Sequence, residues 1–220
     1  MRRAEFLLFV ICALLAACVP AGLPPGTTGS VGTPDDGRLI DGVQLQSSED
    51  IIVLEPEMAW GTKQLVDLLQ MAAQEMRRAY PDTVPLVVGH LSAREGGPLA
   101  PHRSHQSGRD ADVAMYARDN KLIRGFARMD GDRLDTDKTW FFIETLLHTG
   151  LMQYILLDWD VQKIIYDEVQ IAVPQQTLDI AFQYPRSRGA RQGIIRHAAG
   201  HVNHLHLRIR CPETDAGCSN

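Results

Sequence analysis

Positive charge is scarce in this sequence: 22 lysines and arginines stand against 27 aspartates and glutamates, for a formal net charge of -5. With no basic stripe to read, the chain offers no electrostatic footprint for nucleic acid or for an anionic lipid surface. Cysteine is scarce too, and four residues are too few for a disulfide scaffold. No internal repeat is visible. The N-terminal apolar run, residues 6–15, falls well short of the roughly 20 residues that a bilayer-spanning helix needs. What is present is ordinary globular material, 45% hydrophobic and 22% charged, which excludes a disordered, collagen-like or coiled-coil chain and fits one domain.

The first 17 residues read as a targeting segment. Arg2 and Arg3 make a short basic start, the apolar run follows, and Leu15-Ala16-Ala17-Cys18 closes it with small residues. That tetrapeptide resembles the bacterial lipobox, in which the cysteine is acylated and becomes the mature N-terminus. The expectation is a lipoprotein signal peptide over 1–17, lipidation at Cys18, and a periplasmic protein whose only membrane contact is this anchor. Val19 supplies no aspartate retention signal, which points to the outer membrane. Residues 18–38 are rich in Pro, Gly and Thr with almost nothing apolar to bury, and are expected to form a flexible tether. The folded domain is then expected over 39–220.

Within that domain the hydrophobic periodicity alternates between helix and strand without a regular βαβ rhythm. Leu65, Leu68, Leu69, Ala72, Met76 and Ala79 recur at helical spacing between Thr62 and Tyr80, and Pro81 ends the run. A second helix is expected over 138–148, closed by Gly150. Strands are expected over 86–91, 112–116 and 154–157. The best marked strand comes last: between Asn203 and Arg210, His204, His206 and Arg208 alternate with Leu205, Leu207 and Ile209. The expected architecture is α+β, a small mixed and mainly antiparallel sheet flanked by helices, with histidines projecting from its open face. Trp140, Phe141 and Phe142 read as core.

Of eight histidines, six fall in two clusters, His102/His105 and His197/His201/His204/His206. Of the other two, His90 reads as a hydrogen-bonded structural residue at a strand end, and His148 as a cation suited to a helix C-terminus. In a strand, His204-Leu205-His206 aims both imidazoles at the same side, which two groups addressing one metal ion require. An isolated pair of this kind is more often structural; the His105…Asp112 element changes that balance. Those two residues lie an odd number of positions apart and cannot share a strand face, so a turn is needed between them, with Gly108 as its pivot. One His, one Asp and one His suit a Zn²⁺ ion with a fourth position open. The histidine of the pair not needed as a ligand is placed to act as general base or to hydrogen-bond a tetrahedral intermediate. Asp110 faces the same way as Asp112, where it either orients a ligand or is solvated.

The segments Ser104-His105-Gln106-Ser107-Gly108-Arg109-Asp110-Ala111-Asp112-Val113 and Gly200-His201-Val202-Asn203-His204-Leu205-His206-Leu207-Arg208 together resemble the penicillin-insensitive murein endopeptidases. These are periplasmic zinc peptidases sharing the metal-site arrangement of the lysostaphin, D-Ala-D-Ala peptidase and hedgehog group. The resemblance covers most of the domain and implies one catalytic Zn²⁺ held by His105, Asp112 and His206, with His204 as the catalytic histidine. It places His102 and His201 around the ligands or against the substrate. The implied reaction is hydrolysis of the D-alanyl-diaminopimelate cross-link of peptidoglycan, and Arg94 and Arg208 become candidates for binding stem-peptide carboxylates. The chain departs from the family in its length, its lipobox-like start and its lack of most of the family's extra cysteines.

Two other readings share the metal geometry. A zinc D,D-carboxypeptidase or dipeptidase typically places a Glu just before the last ligand, whereas residues 200–205 contain no acid. A zinc-stabilised binding module without catalysis would not need His204. Cys211 and Cys218 lie close together just beyond the last strand and, in an oxidising compartment, are expected to form a local disulfide pinning its end; a second metal site would require both thiols to stay reduced.

Overall fold

The computed structural model describes residues 29–220; the signal segment, Cys18 and the first part of the expected tether lie outside the described residues. Where composition predicts the rest of that tether, a hairpin forms instead. Strands β1 (Gly29–Thr33) and β2 (Asp36–Ile40) pair antiparallel, from Gly29 opposite Ile40 to Thr33 opposite Asp36. The boundary expected at residue 38 is therefore too late. The hairpin has little apolar surface, and its backbone is held by the other end of the chain. Ser30 N donates to the Asp215 carboxylate (2.7 Å), Gly32 N to the Gly217 carbonyl (2.8 Å) and Ser219 N to the Gly32 carbonyl (2.9 Å). A composition rule weighs side chains and does not see backbone partners that arrive from far along the chain.

Three short strands follow, β3 (Val43–Gln44), β4 (Ile51–Val53) and β5 (Trp60–Gly61), with β3 antiparallel to β5. Helix α1 (Lys63–Ala79) starts where Thr62 Oγ1 accepts from the Leu65 N–H (3.2 Å) and stops at Tyr80, ahead of Pro81. Its buried stripe includes Leu65, Leu68, Leu69, Ala72 and Met76, as the periodicity predicts, whereas Ala79, at the last turn, is exposed. Next come β6 (Leu86–Val88), β7 (Asp110–Ala114), α2 (Thr136–His148), β8 (Met152–Leu157), α3 (Trp159–Val169), α4 (Gln175–Ala181), β9 (Ile195–His197) and β10 (His204–Ile209). β6 is shorter than expected, and β7 begins at Asp110, two residues early, because the ladder extends to the pairing of Asp110 with Arg208. α3 is capped by Asp158, whose side chain accepts from Asp160 N (3.1 Å). Among the described residues no helix is long and apolar enough to cross a membrane.

Six strands form the main sheet in the order β4-β6-β7-β10-β8-β9, parallel only in its two edge pairs and antiparallel between. The mixed, mainly antiparallel α+β architecture expected from the sequence is what forms. One sheet face is apolar: Ala111, Val113, Leu205, Leu207 and Ile209 are fully buried in one core with Phe142 and Ile143 of α2, Ile165 of α3 and the α1 stripe. The other face carries the polar alternates of the same strands.

Arg109, which precedes β7, is fully buried, and its Nη atoms donate to the carbonyls of Ile209 (3.3 Å) and Ser219 (2.5 Å) and to Asn220 Oδ1 (3.0 Å). The expected disulfide joins Cys211 to Cys218 and closes the segment that also grips β1. Replacing both cysteines by serine is expected to lower stability by about 2–3 kcal/mol, the chain-entropy value for so short a loop, in urea denaturation. An unchanged midpoint would mean that the backbone contacts hold the segment without the cross-link.

Candidate metal centre

Residues directly opposite one another in an antiparallel ladder share a face. The β7–β10 register sets His206 opposite Asp112 and Arg208 opposite Asp110, so the alternation that buries Leu205 and Leu207 turns these four to the other side. His105 arrives from the loop before β7. Its φ of 69° is left-handed, which is uncommon for a non-glycine residue. Gly108 follows at φ 70°, where a Cβ would lie 2.7 Å from a Leu39 methyl carbon. The expected pivot is thus a position that favours glycine twice over.

Three acceptor atoms meet as a result. His105 Nε2 lies 3.3 Å from His206 Nδ1 and 3.4 Å from Asp112 Oδ1, and His206 Nδ1 lies 3.1 Å from that same oxygen. The outward nitrogens have partners of their own: His105 Nδ1 donates to the Leu91 carbonyl (2.6 Å) and His206 Nε2 to Asp110 Oδ1 (3.0 Å). With those ring protons turned outward, each imidazole in its neutral, metal-binding form presents a lone pair inward. Asp112 Oδ1 is buried and satisfies hydrogen-bond geometry with nothing, although imidazole nitrogens crowd around it. Lone pairs converging with no donor between them call for a cation, so the residues fit a metal ion. His102 belongs to the same group; it, His105 and Asp112 offer ligand atoms all within 4.8 Å of one another.

Asp110 is not solvated; it is bonded to the His206 ring. Fully buried, it accepts the His105 backbone N–H on Oδ2 (3.1 Å), and on Oδ1 both His206 Nε2–H and Arg208 Nε–H (2.6 Å). Burial opposes ionisation of Asp110 and Asp112, but the histidines beside them, joined at Asp110 by Arg208, hold both carboxyls well below the usual carboxylate range. Burial also opposes a charge on His206, yet the same two carboxylates pull it up to about 9. Burial pushes His102, next to His105, and His204 down to about 4, and pushes His201 down as well, which keeps these rings neutral at neutral pH.

Above the centre lies a cleft of about 280 Å³ whose walls include Glu55, His90, His102, Phe126 and His204. His204 Nδ1 donates to Asn203 Oδ1 (2.8 Å), its ring stacks on Phe126 with centroids 5.0 Å apart, and its Nε2 stands 3.6 Å from Asp112 Oδ1. His201 lies behind it, ring centroids 4.9 Å apart, with a buried Nδ1 that has no partner. Arg208 is engaged with Asp110. Arg94 does not line this cleft; it lies over Trp60, 5.3 Å from the ring centroid, in a separate groove.

His90, read from the sequence as structural, is a wall of the cleft. Its Nδ1 is 2.7 Å from His102 Nε2, and its Nε2 is 2.9 Å from Glu55 Oε1. Nothing in the spacing singles out Glu55 or Phe126. Asn203 had one available signal, its place beside His204.

A mixed sheet that turns histidines and aspartates onto the floor of an open cleft, with their lone pairs aimed at one cation position, has the layout of a metal-dependent hydrolase. The family described as penicillin-insensitive murein endopeptidase matches residues 30–139. The match spans half of the chain, which belongs to that family and is a murein peptidase. It takes in His102, His105, Asp110 and Asp112 and stops short of β10, which joins them through the sheet register. No curated protein matches the chain.

Chelator treatment is expected to lower the thermal midpoint, and added divalent transition metal to restore it, because an ion bound only by the native state adds about 2.7 kcal/mol at one hundred times its Kd. Asp110→Asn should weaken metal affinity about 10–100-fold, the usual weight of a group that orients a ligand. Equal metal titration curves for variant and wild type would remove Asp110 from the site.

Proposed function

We propose that the protein is a zinc-dependent endopeptidase hydrolysing the D-alanyl-diaminopimelate cross-link of peptidoglycan, held in the periplasm, at the outer membrane, through an acylated Cys18. The observation that carries this reading is the triangle of His105 Nε2, His206 Nδ1 and Asp112 Oδ1, with edges of 3.1, 3.3 and 3.4 Å. Donors around a tetrahedral ion at bond lengths of about 2.0–2.1 Å stand about 3.3 Å apart. Those three residues are the proposed ligands, a set that leaves a fourth position, as catalytic zinc sites do. When bound, zinc supplies Lewis acidity to the scissile carbonyl and to the attacking water.

The remaining chemistry falls to side chains of the chain itself. Asn203 Oδ1 accepts a hydrogen bond from His204 Nδ1–H, so the Nε2 of His204 faces the cleft as an acceptor. From there it takes a proton from the attacking water and returns one to the leaving amine. Phe126, stacked on the ring, restricts its rotation and keeps water off one face. No serine acyl-enzyme forms on this route, in keeping with the word penicillin-insensitive in the family description. The disulfide supports an oxidising envelope compartment, and the lipobox-like Leu15-Ala16-Ala17-Cys18 supports the anchor.

Alanine at His105, Asp112 or His206 is expected to remove bound metal and activity together. His204→Ala should keep about one zinc per chain and lose about 10²–10⁴-fold in turnover. Elemental analysis beside muropeptide profiling of digested sacculi decides both. Cleaved dimers are expected. Freed D-alanine alone would make the protein a carboxypeptidase, no product would make it a binding module, and a zinc-free His204→Ala protein would make His204 a ligand. Cys18→Ala should move the protein from the membrane fraction to the soluble periplasm; wild-type protein found wholly in that soluble fraction would refute the anchor.

A further inference from the structure

A second groove, of about 700 Å³, has Arg38, Leu39, Asp41, Trp60, Arg94 and Glu95 in its walls. Trp60 is half-buried, and the four charged side chains are exposed. Among the described residues none of those four enters an ion pair or a side-chain hydrogen bond. Arg94 instead makes a cation–π contact with Trp60, its Cζ 5.3 Å from the ring centroid, which holds a guanidinium in place without using its hydrogen-bond donors.

The groove is tied to the metal centre by its floor. Trp60 N donates to the Ser92 carbonyl (3.2 Å), and Ser92 Oγ donates to the Trp60 carbonyl (2.7 Å). The preceding residue, Leu91, supplies the carbonyl that fixes the His105 ring. Three residues of chain lead from Leu91 to Arg94, a span of at most about 11 Å.

We propose that this groove binds a zwitterionic amino-acid head, an ammonium and a carboxylate on one carbon, carried by the substrate beside its scissile bond. Two unpaired cations and two unpaired anions leave the groove without net charge, so it selects neither an anion nor a cation alone but complements a group that holds both. A guanidinium receives the carboxylate on paired N–H donors, and Asp41 and Glu95 supply acceptors for the ammonium. For its substrate the proposal rests on the cross-link reading above. There, the stem that contributes the D-alanyl carbonyl carries its own diaminopimelate immediately before that D-alanine, and the side chain ends in such a head. The groove thereby reads whether that head is free or already acylated.

Calorimetry on the full-length protein tests this without a cleavable bond. The probes are the uncross-linked tetrapeptide stem ending in D-alanine and the same peptide acetylated on the diaminopimelate side-chain amine. The free peptide is expected to bind about tenfold more tightly, and Arg94→Ala and Glu95→Gln each to weaken it about tenfold, the scale of one lost charge-assisted hydrogen bond. Unchanged thermal midpoints and metal content in both variants establish that they fold. No binding, equal binding of the two peptides, or variants that bind like wild type overturns the proposal. On cross-linked dimers the same variants should raise KM. A protein that discriminates between the peptides but cleaves no dimer retains the groove and loses the endopeptidase reading, so the two failures are separable.

Discussion

The buried carboxylate of Asp110 is bonded to three parts of the chain at once: the backbone of the loop at His105, the imidazole of His206 and the guanidinium of Arg208. A charge so deeply buried is tolerable only when every lone pair has a donor, and here the donors come from the loop and from β10. The interaction therefore locks loop, β7 and β10 into one arrangement. Asp112, two residues along the same strand, is carried to its place opposite His206 by that lock. Register matters because a slip by one residue would send Asp110 and Asp112 into the apolar core and Ala111 and Val113 into the cleft.

The polar face of the sheet is backed by plain hydrophobic packing on the other. Leu205, Leu207 and Ile209, which alternate with His204, His206 and Arg208, are fully buried, so β10 is held from behind by the core while its front stays free for chemistry. Polar order continues outward from the floor: Leu91 fixes His105, Asn203 fixes His204, and Glu55 and His90 stand behind His102. Each outer partner takes up one ring nitrogen and leaves the other to face inward, the division of labour that a metal centre built from imidazoles requires.

The two ends of the described chain are tied to each other. The β1–β2 hairpin, Asp215 and the Cys211–Cys218 loop grip one another, and Arg109, adjacent in sequence to Asp110, is tied to Ser219 and Asn220. Anchoring of the chain's end and positioning at the centre thus meet in two consecutive residues, Arg109 and Asp110.

Some of this was legible in the residues alone. The period-3.6 stripe of α1, the alternation of β10 and the turn at Gly108 follow from local backbone geometry, and the spacing of the histidines already marked His105, Asp112, His204 and His206 as one group. Those features depend on neighbours a few positions apart, which a sequence displays directly. What tertiary structure alone decided depends on residues far apart: the pairing of β7 with β10, the recruitment of His90 and Glu55 to the cleft, the placing of Arg94 in a separate groove, and the ordering of residues 29–38. That last segment looks like a tether because its side chains have nothing to bury. It is structured because backbone N–H and carbonyl groups near residues 215–219 complete its hydrogen bonds, and no composition rule registers a partner nearly 190 residues away.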